Sequence, residues 1–200
     1  AWKGSADARS GHYEKAHAMG IDALIPPRSP EAKAAAKQDS VAAMEQSAVL
    51  RLRPHHLMCM ACFHGGKDTI TPIEEDNLYE AIAIIQKHPD IPVTLVRGCC
   101  MICPPCGHFD PASEWCIGGM SMSLRDQKKD LDVLQLLGLQ YGDTLPARRL
   151  YALLFDRIPS TRIICAYGDG LVRAWEWRIC HAPEGNPAYE KARDANLGIP

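Results

Sequence analysis

Cysteines are the most reactive side chains of this sequence, and they are unusually frequent. The 200 residues include nine cysteines, an odd number that fits a complete set of disulfides poorly because one thiol stays unpaired. A chain of this length can also build a hydrophobic core without disulfide cross-links. Its first residues lack the apolar segment of an export signal. We therefore interpret the cysteines as metal ligands or redox thiols.

Cys103 and Cys106 form the strongest metal-binding pattern, because only two residues separate them and Cys116 follows nearby. A C-x-x-C turn brings two sulfurs close enough to hold one metal ion or two irons of one cluster. All three cysteines lie in a loop rich in Gly and Pro, residues 98–120, in which we expect no regular structure and order only through a bound metal. Thiolates select zinc, copper(I) or iron–sulfur centres, so these residues alone leave the metal open.

A fourth ligand must come from another part of the chain, and three cysteines are candidates. Cys59 is the first choice, because it ends a motif with two histidines. Cys165 and Cys180 are the others, because a turn at residues 168–170 would bring the two ends of a hairpin together. If both of them bind metal, the chain has a second metal centre.

Three further cysteines could complete that second centre, but each has a structural interpretation or a geometric limit. Cys62 lies among apolar residues, where a free cysteine behaves as a small hydrophobic side chain. Cys99 and Cys100 would point in opposite directions if the preceding strand continued. We therefore expect at most one of these two at the metal of the loop.

Two adjacent histidines, His55 and His56, precede Cys59. A histidine beside a cysteine ligand can donate a hydrogen bond to the sulfur, and a histidine with a pKa near neutral can act as a catalytic acid or base. The alternative is a structural histidine whose ring nitrogens are satisfied by hydrogen bonds. Both residues are candidate catalytic groups.

The remaining sequence predicts an α+β fold, with about four helices around a small sheet and the long cysteine-rich loop closed by metal. A short strand is expected at the start of residues 50–63 and another at residues 92–97. Ser29 is expected to cap the first helix, and Asp143 or Thr144 the last. The predicted helices are residues 31–48, 72–88, 124–137 and 146–157.

Composition and charge narrow the partners of the chain. We divide it into an N-terminal arm, residues 1–48, and a metal-binding domain, residues 49–200. A net charge of -2 and a sequence pI near 6.5 give no basic surface for nucleic acid. The apolar runs are far shorter than the roughly 18 residues of a membrane span. We expect a cytoplasmic protein that neither binds nucleic acid nor spans a membrane.

Three segments in one order resemble a known family. They are LRPHHLMC (Leu52–Cys59), the C-x-x-C loop with its following cysteine, and RDQKKDLDVLQLLGLQYGDTL (Arg125–Leu145). Together they are similar to a small bacterial and archaeal family of uncharacterised iron–sulfur-binding proteins, over roughly residues 51–155. Members carry a His-His-Leu-Leu-Cys motif, a C-x-x-C loop, a further cysteine, and a helix leading to a Gly-Asp-Thr turn. The additional cysteines at positions 62, 99 and 100 depart from that pattern.

The resemblance implies an iron–sulfur cofactor, which we expect to be a [4Fe-4S] cluster. Matched residue by residue, the motif cysteines of the family fall on Cys59, Cys103, Cys106 and Cys116. The paired histidines of the family fall on His55 and His56. The family has no settled activity, so the resemblance supports a cofactor more than a reaction.

Three functions follow from these expectations. The first is electron transfer, in which a cluster with four cysteine ligands passes electrons to a partner protein or subunit. The second is an enzyme, in which three cysteines leave one iron open to substrate and His55 or His56 serves as the acid–base group. The third is a structural zinc module in an interaction protein. Whether the chain is an enzyme stays open at this point.

Overall fold

Helices and short strands share one hydrophobic core, which confirms the α+β class. The structure is a computed structural model and describes residues 28–116, 124–165 and 187–200. Within these ranges it has seven α-helices, so the prediction of about four helices was wrong. The helices are α1 (Pro30–Glu45), α2 (Pro54–Gly65), α3 (Leu78–Lys87), α4 (Leu124–Leu137), α5 (Ala147–Arg157), α6 (Arg162–Cys165) and α7 (Pro187–Asp194). The strands are β1 (Leu50–Leu52), β2 (Pro92–Leu95), β3 (Phe109–Asp110), β4 (Trp115–Cys116) and β5 (Thr144–Pro146).

The main sheet has three short strands in the order β1-β2-β5. Strand β1 is parallel to β2, with Leu50 opposite Val93, and β5 is antiparallel to β2. In β1 the two leucines are buried and the arginine between them is exposed, which is the alternation of a strand with one face on the core. The strands predicted near residues 50 and 92 are thus confirmed. The expected cap at Asp143 or Thr144 is wrong, because Thr144 lies in β5 and α5 starts without a side-chain cap.

Helix α1 begins as its sequence predicts. The side-chain oxygen of Ser29 accepts a hydrogen bond from the backbone N–H of Ala32 at 3.2 Å, and Pro30 occupies the first turn. Met44 is buried in the core, and Lys37 forms an ion pair of 2.7 Å with Glu80 of helix α3. The described part of the predicted arm therefore packs on the rest of the fold.

Helix α3 starts later than predicted, at Leu78 rather than near residue 72. A carboxylate oxygen of Asp76 accepts a hydrogen bond from the backbone N–H of Leu78 at 2.8 Å, which satisfies one of the free donors at the helix start. Proline at position 72 thus lies outside the helix. By contrast, α4 has the predicted bounds and α5 starts one residue inside its predicted range.

Helix α2 lies at the centre of the fold and contacts α3, α4 and α7. Nine of its twelve residues are buried, so its sequence has no polar face and lacks the periodicity by which surface helices are recognised. At its end, a Cβ atom on Gly65 would lie 1.8 Å from the carbonyl oxygen of Ala188. Glycine at this position therefore permits the close approach of α2 and α7.

The cysteine-rich loop contains a short antiparallel hairpin of β3 and β4, in which Phe109 lies opposite Cys116. The expectation that this loop has no regular structure was therefore wrong. Its start is fixed by Gly98, which has a positive φ of 81°. A Cβ atom at Gly98 would lie 2.7 Å from the Trp115 ring, so the hairpin folds back over a position that only glycine fits.

Two predictions concern segments that the structure describes in part. The hairpin expected between Cys165 and Cys180 lies mostly outside the described residues, and its first cysteine ends helix α6. Cys180 itself lies outside them. In the parts of the chain that the structure describes, no helix has the length and apolar character needed to cross a bilayer.

Candidate metal centre

Three potential metal ligands converge below the surface: His56, Cys100 and Cys103. The Nδ1 atom of His56 lies 3.1 Å from the sulfur of Cys100, and the sulfurs of Cys100 and Cys103 are 3.9 Å apart. All three ligand atoms lie within 4.8 Å of one another. Among the described residues, no other group of three or more His, Cys, Asp or Glu side chains meets this distance.

Consecutive backbone turns position the cysteines of the loop. The N–H of Cys103 donates to the carbonyl oxygen of Cys100 at 3.0 Å, that of Cys106 to Cys103 at 2.9 Å, and that of Phe109 to Cys106 at 3.1 Å. Each of the three turns thus begins at a cysteine, and the first two also end at one. The ends of such a turn lie within about 7 Å of each other. The spacing C-x2-C-x2-C is therefore matched to the turns.

Backbone N–H groups point at two of the sulfurs. The N–H of Cys100 donates to the sulfur of Cys103 at 3.3 Å, and the N–H of His108 donates to the sulfur of Cys106 at 3.4 Å. Donors of this kind stabilise negative charge on a thiolate, and they tune the potential of cysteine-ligated iron. The loop backbone is thus arranged to support thiolates at both cysteines.

The two histidines of helix α2 have different partners. Their rings meet edge to face with centroids 4.6 Å apart. His56 contacts Cys100, whereas the Nδ1 atom of His55 lies 2.7 Å from a carboxylate oxygen of Asp130 on α4. The two residues are only 4% and 6% exposed, for His55 and His56 respectively. His56, which lies beside the thiols, thus contacts the ring of His55, and the ring of His55 is held in turn by the carboxylate of Asp130.

Asp130 is fully buried and binds the start of helix α2 at four atoms. One carboxylate oxygen accepts from the backbone N–H of His55 at 3.0 Å and contacts its ring nitrogen. The other accepts from the Nε atom of Arg53 at 3.0 Å and from its Nη2 atom at 2.7 Å. Burial alone would raise the pKa of Asp130, but the charges and hydrogen bonds of His55 and Arg53 outweigh burial and lower the pKa below its ordinary value.

Burial and neighbouring thiols shift the pKa values of the three converging side chains. It raises the pKa of the Cys100 thiol well above its ordinary value and lowers the pKa of His56. A hydrogen bond with Cys100 favours the thiolate of Cys103, but Cys99 and burial oppose it, so the pKa of Cys103 is also raised well above normal. The metal-free site therefore holds neutral groups, and a metal ion must displace thiol protons in order to bind.

Arg28 ties the N-terminal segment to the cysteine loop. Its guanidinium donates to the carbonyl oxygen of Pro104 at 2.6 Å and to that of Cys106 at 3.4 Å. It also lies over the ring of Phe109, 5.8 Å from the centroid, within the range of a cation–π interaction. One side chain from outside the predicted metal-binding domain thus binds the turn between two cysteines.

Replacing Arg28 by methionine is expected to speed the loss of metal from the loop. Methionine keeps an unbranched stem but removes both hydrogen bonds to the loop carbonyls and the contact with Phe109. We expect release to a chromogenic chelator to be roughly 10-fold faster, the lower end of what outer contacts contribute at metal sites. Arg157→Met is the matched control, since Arg157 is exposed and pairs with its neighbour Asp156. Equal release rates in the two variants would contradict a role for Arg28.

Asp76 and Asn77 connect helix α1 to the same loop. The Nδ2 atom of Asn77 donates to the Ser40 hydroxyl and to the carbonyl oxygen of Met101, both at 2.8 Å. Asp76 is 2% exposed. Its burial raises its pKa from 3.8 to about 6, although a backbone hydrogen bond and Lys37 oppose the shift. Asp76 is therefore mostly charged at neutral pH, and this buried charge lowers the stability of the folded protein.

Asp76→Asn is expected to stabilise the fold at neutral pH but to have little effect in acid. A carboxyl group with a raised pKa contributes most to stability below its unfolded pKa, and this contribution is lost as the pH rises through the folded value. The stability of the variant relative to the parent should therefore grow by about 2 kcal/mol between about pH 4.5 and about pH 7. Urea unfolding of the parent and the variant at both pH values measures this difference in stability. A difference that does not change with pH would contradict the assignment.

The remaining cysteines predicted as ligands lie elsewhere. Cys106 is in the next turn of the loop and Cys116 in β4. Cys59 lies on α2 near the hydroxyl of Tyr151, where it contributes to a raised pKa of that group, and Cys165 ends α6. None of the four joins the group formed by His56, Cys100 and Cys103, and their assignment as ligands stays a prediction.

Cys100 and Asp130 are the site residues that sequence reasoning missed. Cys100 and Cys103 have the same spacing as Cys103 and Cys106, and this repeat would have identified a C-x2-C-x2-C motif. The assumption that a strand continued through Cys100 hid it, because strand β2 ends at Leu95. Asp130 carried no such signal, since it lies in a helix rich in charged residues and 77 positions from Arg53.

Comparison with known proteins assigns no family to this chain. No protein-family model matches the chain, and neither a curated protein nor a solved structure matches it. The function must therefore be argued from the site itself.

Proposed function

We propose that this protein binds iron through cysteine thiolates as an iron–sulfur centre and passes electrons to a partner protein. The observation that carries the proposal is the convergence of His56, Cys100 and Cys103 beneath the surface, at the start of a loop in which three successive turns each begin at a cysteine. Buried thiols that meet a histidine in this way are the ligands that thiophilic metals require.

Two features support iron as the metal. The spacing C-x2-C-x2-C is the spacing by which one loop supplies three thiolates to a [4Fe-4S] cluster. Backbone N–H groups donate to the sulfurs of Cys103 and Cys106, as they do where a protein tunes a cluster potential. On this assignment the loop supplies Cys100, Cys103 and Cys106, and the predicted ligands Cys59 and Cys116 are the candidates for the fourth position.

A single zinc ion is the second candidate, and one distance favours it. The sulfurs of Cys100 and Cys103 are 3.9 Å apart. Two thiolates that bind one tetrahedral ion at about 2.3 Å are separated by about 3.8 Å. Thiolates that bind different irons of one cluster stand further apart, so formation of a cluster requires the Cys103 side chain to move away from Cys100.

Electron transfer is favoured over the enzyme because both histidines are engaged. The ring of His55 is held by Asp130 and the ring of His56 by Cys100. A general acid or base must reach a substrate proton within hydrogen-bonding distance. Two side chains that are buried and turned towards protein partners are better suited to fixing ligands and shielding a redox centre from water.

Anaerobic purification tests the proposal most directly. Iron, acid-labile sulfide and zinc are quantified per chain, and the absorption spectrum is recorded before and after dithionite. A brown protein with about four irons and four sulfides, whose broad absorption near 400 nm bleaches reversibly, supports an electron-transfer cluster. A colourless protein with one zinc supports the second candidate. A protein that takes up neither metal after anaerobic reconstitution overturns both.

A further inference from the structure

Cys100 and Cys103 are also placed to form a disulfide with each other. Their sulfurs are 3.9 Å apart, and the two residues are the ends of one hydrogen-bonded turn, so their Cα atoms lie within about 7 Å. A disulfide needs a Cα separation of about 4.4–6.8 Å and a bond of about 2.0 Å. Rotation of the two side chains within the existing turn is therefore enough to bring the sulfurs into bonding range.

The two cysteine residues differ in exposure, although both sulfurs lie below the surface. Cys100 as a residue is partly exposed, whereas Cys103 is buried with 8% of its surface exposed. In thiol–disulfide exchange, a small disulfide reacts first with the thiol it can reach, and a second thiol nearby then resolves the mixed disulfide. The greater exposure of its residue thus assigns the first step to Cys100, and the second step falls to Cys103.

We propose that Cys100 and Cys103 are a redox switch, which a small-molecule disulfide closes and a small-molecule thiol reopens. In the first step the Cys100 sulfur bonds to one sulfur of the small disulfide, whose own bond breaks, and one thiol leaves. In the second step the Cys103 sulfur displaces the other half as a second thiol. The protein loses two electrons and two thiol protons, and both appear in the two small thiols that are released.

Closure of the switch would empty the metal centre, and in this respect the inference rests on the proposed function. Of the three converging ligand atoms, two are the sulfurs that the disulfide consumes. On the iron–sulfur assignment the disulfide removes two of the three thiolates that the loop supplies, and Cys106 with one further cysteine is too few to hold a cluster. On the single-zinc assignment His56 is the one converging ligand that remains, and a single imidazole does not retain a thiophilic ion against water. The chemistry of the pair itself does not depend on which metal the site takes.

The test begins with full-length protein from which metal has been removed by a chelator. It is equilibrated without oxygen in a series of glutathione and glutathione disulfide mixtures. Free thiols are blocked with N-ethylmaleimide, and oxidised ones are then reduced and labelled with its heavy form. Tryptic cleavage after Arg97 and Arg125 gives one peptide that contains five cysteines of the loop, and fragment ions locate each label.

We expect Cys100 and Cys103 to take the heavy label together while the other cysteines of the peptide stay light. Cys103→Ser should instead accumulate glutathione on Cys100, because the resolving thiol is missing, and Cys62→Ser should behave like the parent. A pair that stays light in the most oxidising mixture overturns the inference, as does a heavy label shared by Cys103 with Cys99 or Cys106. Since this measurement needs no metal, a parent protein that binds none overturns the proposed function alone.

Metal-loaded protein then shows whether closure releases the metal. Glutathione disulfide is added in the presence of a chromogenic chelator, and the heavy label and the released metal are followed together. We expect the two to rise in parallel and both to be reversed when dithiothreitol and metal are supplied. Disulfide formation with full retention of metal would contradict the switch while leaving the metal centre intact.

Discussion

Cys100→Ser is expected to lose its metal during purification, whereas Cys59→Ser is expected to retain more. Both variants remove one sulfur, but only Cys100 lies with His56 and Cys103 in the group of converging ligands. Replacing a thiolate by a hydroxyl removes a soft ligand outright. The affinity should therefore fall by more than the roughly 10- to 100-fold that changes around a metal site cost. Metal per chain and competition with a chelator measure the effect.

Three comparisons make this result specific. Cys103→Ser should be as damaging as Cys100→Ser, because Cys103 belongs both to the C-x-x-C motif and to the group of converging side chains. His56→Ala should lower the affinity further than His55→Ala if the ring of His56 binds the metal itself. Full metal content in Cys100→Ser together with loss in Cys59→Ser would reverse our assignment and favour the ligand set expected from the family resemblance.

Elements with a local signal could be predicted from the sequence: an apolar period marks α4, and helix-forming composition with a Ser-Pro start marks α1. Elements without such a signal could not be predicted. Helix α4 has its predicted bounds because one face carries buried residues such as Val133 and the chain then turns at Gly138, where φ is positive. Helix α2 was missed because it is buried on nearly all sides and shows no period. Local residue preferences thus identify surface helices, whereas a central helix is defined by neighbours that are distant in sequence.

The candidate site likewise has one part that the sequence could predict and one part that it could not. Residue type and spacing pointed to a thiolate metal site in the loop, because a C-x-x-C turn is a local structure. The pairing of His56 with Cys100 joins positions 44 residues apart, and nothing in the local pattern specifies it. The same holds for Arg53, which pairs with Asp130 inside the protein although 77 positions separate them in sequence.

That buried pair gives the second large prediction: Asp130→Asn should destabilise the metal-free fold by about 3–5 kcal/mol. The amide introduced by this substitution could still accept from the N–H of His55, but its NH₂ group would face the donors of Arg53. The guanidinium, 2% exposed, would then be a buried charge without compensation. Urea unfolding under reducing conditions measures the loss. Asp132→Asn is the matched control on the same helix, since Asp132 pairs with an exposed Lys128 and should cost no more than about 0.5 kcal/mol.

The pH dependence of the stability of Asp130→Asn distinguishes the loss of a charge from a disturbance of packing. The pKa of Asp130 is lowered in the folded state, so its contribution is present above its unfolded pKa of about 3.9 and is lost as the pH falls through the folded value. The difference in the free energy of unfolding between parent and variant should therefore be constant at neutral pH and become smaller below about pH 4. A gap that persists unchanged in acid would mean that the introduced amide disturbs packing rather than charge. Because Asp130 also anchors His55 beside His56, the variant should weaken metal binding by about 10- to 100-fold even where it remains folded.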